Sequence, residues 1–295
     1  MPALASTVTD TALIFEGGGM RASVTSAVVQ VLVEAGIFVD WVAGISAGAS
    51  NLANYVSRDP ARARASFTTF AADPNFGGWG SFLRGTGFFN AHYIYEATAA
   101  PGQALPFDFA TFAANPARRR VGSFEAETGR MVYWTEADMT DLAGFMRRVR
   151  ASSTMPILMP PPEIDGRVYF DGALGPSGGI ALDAAQADGF GRVFAVLTRE
   201  RGYVKRPPKW PAAYRAWFRR YPAVAEGLNT RWRNYNRTRE ELFDLESSGQ
   251  ALLFTPASVA VTNHTTDVTA LNQAFERGLA QARQELPRWK DWLGA

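Results

Sequence analysis

Two short apolar runs, each closed by glycine and followed by a segment of helical period, fill the stretch from residue 12 to residue 57. No other feature restricts the fold of this chain as strongly. "ALIF" (Ala12–Phe15) is apolar throughout and stops at Gly17-Gly18-Gly19, the pattern of a buried strand. From Met20 to Ala35, Val24, Val28, Val31 and Leu32 recur at helical spacing, and Gly36 supplies a carboxy-terminal stop. "WVAGIS" (Trp41–Ser46) repeats the strand pattern, and "AGASNLANYVS" the helical one. Strand–helix–strand–helix in so few residues predicts an α/β fold with a mostly parallel sheet and flanking helices.

Further along, residues 66–90 are rich in Phe, Gly and Trp without a clean period, which predicts a long cover segment. "RRVGSFEAETGRMVYWTEA" (Arg119–Ala137) predicts a hairpin turning at Thr128–Gly129. Residues 138–150 have helical spacing. "RVYFDGA" and "RVFAVLTR" read as buried strands separated by an amphipathic stretch over 180–187. "ALLFTP" (Ala251–Pro256) reads as a last core strand and residues 267–285 as a final helix. No internal repeat or Gly/Ser linker interrupts the 295 residues, of which 47% are apolar. The expectation is one catalytic-type domain over residues 1–295, with a basic aromatic helical region at about 199–246 and a strand–helix end at about 251–285.

Composition removes several classes of chemistry. A formal charge of only +2 demands no nucleic acid partner. The chain has no cysteine, which excludes disulfides, thiolate catalysis and zinc–sulfur sites. "MPALASTVTD" lacks a basic region followed by an apolar one, and no apolar run approaches the ~18 residues of a spanning helix. A cytoplasmic protein is the default expectation, with peripheral membrane contact as an alternative.

The glycine loop admits two functional readings, beside that of a glycine turn with no ligand. Gly17-Gly18-Gly19-Met20-Arg21-Ala22 satisfies G-x-G-x-x-G/A, the dinucleotide fingerprint, in which backbone N–H groups hold a pyrophosphate. That pattern also needs an acid about 20 residues on, at the far end of the second strand. Asp40 has the spacing but precedes "WVAGIS", at the wrong end of the strand for a ribose. The other reading is that the same N–H groups face a charge that exists only during a reaction.

Gly44-Ile45-Ser46-Ala47-Gly48 favours the second. In G-x-S-x-G between a strand and a helix, the serine sits on a tight turn that projects its oxygen from the sheet edge. Gly44 and Gly48 remove side chains that such a turn has no room for. The following helix directs its positive end at the site. A second copy, Gly175-Pro176-Ser177-Gly178-Gly179, has no strand running directly into it, and Ser177 reads as a turn or cap residue.

A serine nucleophile needs a base. Only His92 and His264 are present, and Ser46…Asp171…His264 matches the chain order of an α/β-hydrolase triad. "VTNHTTD" reads equally well as a polar turn, and His92 as a packing or surface residue. Asp171, directly after the apolar run "VYF", is the other candidate base. Partial desolvation would raise its basicity and a hydrogen bond to Ser46 would align the transfer. A helix-capping role for Asp171 remains open at this point.

"GGGMR", "GISAG" and "DGA", in that order, resemble the patatin-like phospholipase family. "ASSTMP" (Ala151–Pro156) is similar to the A-S-x-x-x-P segment before that family's aspartate. "LTRERGYVKRP", "YPAVAEGLNTRWRNYN" and "FERGLAQA" resemble a bacterial branch, so the likeness spans nearly the whole chain. Glu16 and Ala173 vary within the family's pattern. The resemblance implies a three-layer α/β/α fold and a Ser46–Asp171 dyad that hydrolyses lipid acyl esters. It implies an oxyanion held by the Gly17–Gly19 backbone, with Ala47 as a further donor, and no metal or cofactor. The early elbow argues against a triad through His264.

The implied partner is a lipid or acyl-ester substrate. The Phe/Trp-rich stretch over 67–89 fits an acyl pocket, a lid or simple core. Residues 199–239 carry twelve Arg or Lys against two acids, interleaved with Trp210, Tyr214, Trp217, Phe218, Tyr221 and Trp232. That composition suits a solvated helical face paired with the acids of 240–246, or contact with an anionic membrane; nucleic acid is not expected. An NAD(P)-binding Rossmann-type module and a non-catalytic lipid-binding protein on the same fold are the competing functions.

Overall fold

The four side chains of β1 (Ala12–Phe15) are all buried, and they divide by parity. Leu13 and Phe15 join a cluster with Val42, Phe194, Val196 and Phe254. Ala12 and Ile14 join Ala43, Ile45, Ala195 and Leu253 instead. Successive strand residues point to opposite faces, so a strand apolar at every position is one covered on both sides. The first cluster continues into α1 (Ala22–Glu34), α2 (Ala47–Val56) and the carboxy-terminal helix Val268–Leu293. The second continues into the helices Leu182–Ala187 and Pro222–Ser247. The result is the three-layer α/β/α arrangement expected. The computed structural model describes residues 4–295; Met1–Ala3, the start of the amino-terminal stretch read above, lie outside them.

The remaining strands are β2 (Trp41–Ile45), β3 (Arg118–Glu125), β4 (Met131–Trp134), β5 (Glu163–Ile164), β6 (Arg167–Asp171), β7 (Val193–Val196) and β8 (Ala251–Phe254). Their order in the sheet is β5-β6-β3-β2-β1-β7-β8, with β4 also paired to β3. The centre is parallel: β1 pairs β2 and β7, β2 pairs β3, and β7 pairs β8. The β3–β4 hairpin, β6 and β5 are antiparallel.

One consequence of this register builds the site. β2 ends with Ile45 opposite Gly122 of β3, and β3 runs on beyond it. β6 comes the other way and ends with Asp171 opposite Ser123. Two neighbouring residues of one strand therefore bring the carboxyl ends of β2 and β6 together head to head. The aspartate reaches the site from an antiparallel strand, not from a parallel neighbour.

Two helices differ from expectation. Residues 136–138 form a separate 3₁₀ turn with a Thr135–Asp138 capping box, and the α-helix starts after Asp141, whose side chain accepts from Gly144 N–H at 2.8 Å. The final helix runs past Glu285 and through Pro287 to Leu293. Burial of Trp289 against Phe194 and Phe254 and of Leu293 offsets the backbone hydrogen bond that Pro287 forfeits.

Candidate active site

Ser46 is the turn between β2 and α2 and adopts φ 58°, ψ −129°, a conformation that L-residues rarely take. Such backbone strain costs on the order of 1–3 kcal/mol and persists only where the surroundings enforce it. Here they do. The Ser46 N–H donates to Ser152 Oγ at 2.9 Å, and the Ser152 hydroxyl donates to Gly122 O at 2.6 Å. A Cβ on Gly48 would lie 2.0 Å from the Phe15 carbonyl oxygen, and one on Gly44 would lie 2.2 Å from that of Gly48. Both glycines of the elbow are thus required by close backbone approach.

Asp171 is 7% exposed. Its N–H donates to Thr154 O at 2.9 Å, and its Oδ1 accepts from Ala173 N–H at 2.9 Å, so it caps the 3₁₀ turn Gly172–Leu174. It shares the lining of one recess with Ser46, whose hydroxyl acts on its titration. The capping role leaves the carboxylate in the same recess as Ser46. Burial raises its pKa above the ordinary 3.8, opposed by the Ala173 hydrogen bond, by the neighbouring Ser46 hydroxyl and by the charges of Arg231 and Lys205. The segment 151–156 holds both groups, through the Ser152 hydroxyl on Ser46 and the Thr154 carbonyl on Asp171.

The glycine loop passes directly over the elbow. A Cβ on Gly17 would be 3.0 Å from Ile45 O and from Ser46 Cβ, and one on Gly18 2.8 Å from the Thr198 side chain. The Gly17 N–H donates to Gly179 O at 3.0 Å and is not open to a ligand in this conformation. The N–H groups of Gly18, Gly19 and Ala47 have no intramolecular acceptor among the described residues. Glu16 anchors the loop from below: its carboxylate accepts from Thr198 N–H at 2.6 Å and from the Tyr235 hydroxyl at 2.8 Å.

Two recesses of opposite character meet at Ser46. One, with about 640 Å³ of empty space, is lined by Phe67, Phe70, Phe76, Phe89, Ile94 and Met159. The aromatic cover segment builds this wall, with Phe76 edge-on to Phe70 at 5.5 Å and to Phe89 at 5.7 Å. The other, with about 970 Å³, holds Glu16, Arg21, Asp171, Lys205, Arg231 and His264. Gly19, Ser46, Met155 and Asn263 border both. Tyr95 also faces the apolar recess, from the π-helix His92–Ala97. Its pKa is pushed up to about 12 by burial, with a smaller contribution from the Asp171 charge. Nothing in the sequence pattern marks Tyr95, because π geometry has no clear periodic signature.

A family model described as Patatin-like phospholipase matches residues 13–182, more than half of the chain. The chain belongs to the patatin-like phospholipase family. In general terms it is therefore a lipid acyl hydrolase. A second model, a domain of unknown function (DUF6363), matches residues 221–294. Among solved structures, the crystal structure of VipD from Legionella pneumophila is similar with a TM-score of 0.51 and 13% identity, over 95% of this chain and 67% of that one. That likeness is one of fold. A search of curated proteins gives no match.

Of the other sequence candidates in this patatin-like fold, only His264 lines a recess with Ser46 and Asp171. His264 borders the polar recess but is exposed, stacks on Phe89 with ring centres 6.3 Å apart, and makes no hydrogen bond to Ser46 or Asp171 among the described residues. Partial desolvation at the edge of the recess and the Arg21 charge lower its pKa. His92 is exposed. Asp40 lies ahead of β2, where its N–H donates to Val8 O at 2.9 Å, at the opposite end of the strand from the glycine loop. Ser177 is buried in an irregular turn, and the carbonyl of Gly179 in that second G-x-S-x-G is what binds the Gly17 N–H. No helix among the described residues is long and apolar enough to cross a membrane.

Proposed function

We propose that this protein hydrolyses carboxylic esters of a phospholipid, lysophospholipid or related lipid through a Ser46–Asp171 dyad. The observation that carries this reading is the meeting of β2 and β6, which sets a strained, buried serine beside a buried carboxylate at the border of an apolar and a polar recess. The Ser46 hydroxyl attacks the ester carbonyl while Asp171 takes its proton. The tetrahedral oxyanion lies against the N–H groups of Gly18 and Gly19, with Ala47 at the amino end of α2 as a further donor. Gly17 serves by its lack of a side chain above Ser46 rather than by its N–H. Collapse expels the alcohol, which takes the proton from Asp171, and leaves an acyl-serine. Water then attacks with Asp171 again as base, releasing the fatty acid and restoring the serine.

Burial suits Asp171 to this role. An ordinary carboxylate is a weak base for an alcohol, and a raised pKa strengthens it. Residues 1–295 are read as one catalytic unit, since β8 extends the central sheet and the carboxy-terminal helix packs on the same core as α1. Trp210 and Trp217 are 75% and 68% exposed beside Arg215, Arg219 and Arg220, a composition suited to peripheral contact with an anionic bilayer.

A fluorophosphonate probe combined with a p-nitrophenyl ester series tests the chemistry. Labelling and turnover are expected in the native chain, with both lost in Ser46→Ala and turnover lost in Asp171→Asn. Full activity in either variant would refute the dyad, and loss in His264→Ala would revive the triad. Tight NAD(P) binding indifferent to Ser46, or fatty acid binding without turnover, would favour the non-hydrolytic readings.

A further inference from the structure

Five cations share a recess that opens from the polar side of the site. Arg21, Arg199, Lys205, Arg206 and Arg231 line about 700 Å³ of empty space. Arg21, Lys205 and Arg231 also line the cavity that contains Ser46 and Asp171, so the two spaces adjoin. Some arginines elsewhere are paired: Arg120 with Asp188 at 2.7 Å, Arg150 with Glu96 at 2.7 Å, and Arg201 with Glu246 at 2.5 Å. None of the five has an ion-pair partner among the described residues.

Four of them are drawn back from solvent, with Arg21 buried and Arg199, Lys205 and Arg231 half-buried, while Arg206 is exposed at the rim. Arg21 is 8% exposed, and the Nε atoms of Arg21, Arg199 and Arg231 are buried without a hydrogen-bond partner. Glu16, the acid facing them, already accepts from Thr198 and Tyr235. Burial and the Arg199 charge depress the pKa of Arg21. Burial and the Arg231 charge bring Lys205 down to about 7. Unpaired buried charge is strongly unfavourable, and an anion in the recess would relieve it.

Phosphate fits better than a lone carboxylate. Guanidinium groups bind phosphate oxygens in bidentate fashion, and a phosphate monoester carries about −1.5 to −2 charge near neutral pH. A headgroup ending in a quaternary ammonium would place a further cation among these five. We propose that this recess is a headgroup subsite for the terminal phosphate monoester of an anionic lipid, such as lysophosphatidic or phosphatidic acid. The phosphate sits among Arg21, Arg199, Lys205 and Arg231 while the acyl chain enters the Phe70–Phe76–Phe89 recess. The ester then spans the border at Ser46. This assignment rests on the proposed acyl-ester hydrolysis for its catalytic meaning, though binding can be read without turnover.

The test is calorimetric titration of the Ser46→Ala protein with four probes: lysophosphatidic acid, lysophosphatidylcholine and monoacylglycerol of one chain length, and inorganic phosphate. Lysophosphatidic acid is expected to bind at least about tenfold more tightly than each of the others, as loss of one buried charge-assisted contact would predict. Arg231→Gln and Lys205→Gln, each introduced into Ser46→Ala, should weaken lysophosphatidic acid by about tenfold and reduce its advantage over monoacylglycerol. Equal affinity for lysophosphatidic acid and monoacylglycerol would overturn the subsite. Inorganic phosphate binding as tightly as the lipid would assign the recess to free phosphate and overturn the headgroup reading. Turnover surviving in Ser46→Ala would refute the dyad while leaving the affinity ranking to decide the subsite.

Discussion

The Ser46 N–H donates to the Ser152 hydroxyl at 2.9 Å, and the same hydroxyl donates to Gly122 O at 2.6 Å. One side chain from the helix Leu142–Ser153 thereby pins the elbow to the strand that sets its height.

Removing that pin tests its importance. Ser152 is fully buried, so Ser152→Ala leaves the Ser46 N–H and the Gly122 carbonyl without their partner. A stability loss of about 1–3 kcal/mol is expected from the unsatisfied groups. Ester turnover should fall mainly in kcat, because the serine rather than the acyl recess loses its position. Denaturant unfolding and steady-state kinetics measure the two effects, and a variant unchanged in both would refute the positioning role.

Asp171 should separate activity from stability. Its raised pKa means that the folded chain binds its proton more tightly than the unfolded chain does. Between 3.8 and that raised value this group therefore reduces stability as pH rises, and the penalty is fully present above it. Asp171→Asn is expected to abolish turnover by roughly 10²–10⁴-fold while melting at or above the native temperature at neutral pH. The acid limb of kcat/KM should lie above 3.8, where Asp171 becomes ionised. A clear drop in melting temperature for the variant would contradict this account.

At the elbow, Gly48→Ala would force a methyl to within 2.0 Å of the Phe15 carbonyl oxygen. Backbone cannot yield as a flexible side chain can, so a loss of at least about 2 kcal/mol is expected. Gly191→Ala meets nothing within 4 Å and serves as the comparison, with a change inside about 0.5 kcal/mol. Similar unfolding curves for the two would show that the approach of β1 to α2 is looser than described.

Lys205 supplies a pH signature for substrate binding. Burial and the charges of Arg231, Arg21 and Arg199 lower its pKa to about 7, against the opposing effect of Glu16. As pH rises through that value the lysine loses its charge, and an anionic substrate loses one favourable partner. KM for lysophosphatidic acid should therefore increase above about pH 7, by roughly threefold to tenfold. In Lys205→Arg, which keeps its charge, the increase should be flatter. Parallel profiles for the two proteins would remove Lys205 from the binding site.

The strand ends at the candidate site were legible because their signals are local. A continuous apolar run, a glycine stop and a helical period identify β1, β2 and their helices without distant information. Asp171 at the end of "VYF" was visible for the same reason, although its strand direction was not. The antiparallel path of β6 depends on pairing with β3, more than 40 residues earlier. The aromatic segment 66–90 lacked a period because short helices and turns, rather than one regular element, bring Phe67, Phe70, Phe76 and Phe89 to a common cavity. Residues 199–239 read as a solvated or membrane-facing surface, and only partly are: Arg201 pairs with Glu246, but Lys205 and Arg231 turn inward. Composition records charge without recording which way it faces.

The register on β3 also bears on how this family can diversify. Ser46 and Asp171 are held level by neighbouring residues of one strand, Gly122 and Ser123. The chain between α2 and β3, residues 57–117, is an excursion that leaves the sheet after the serine and returns before that pairing begins. It supplies the aromatic wall of the apolar recess but none of the ladder that spaces Ser46 and Asp171. Loop length alters closure entropy only slowly. On the proposed mechanism, insertion or replacement in this segment would therefore reshape the apolar recess and leave the spacing of Ser46 and Asp171 to the β3 register.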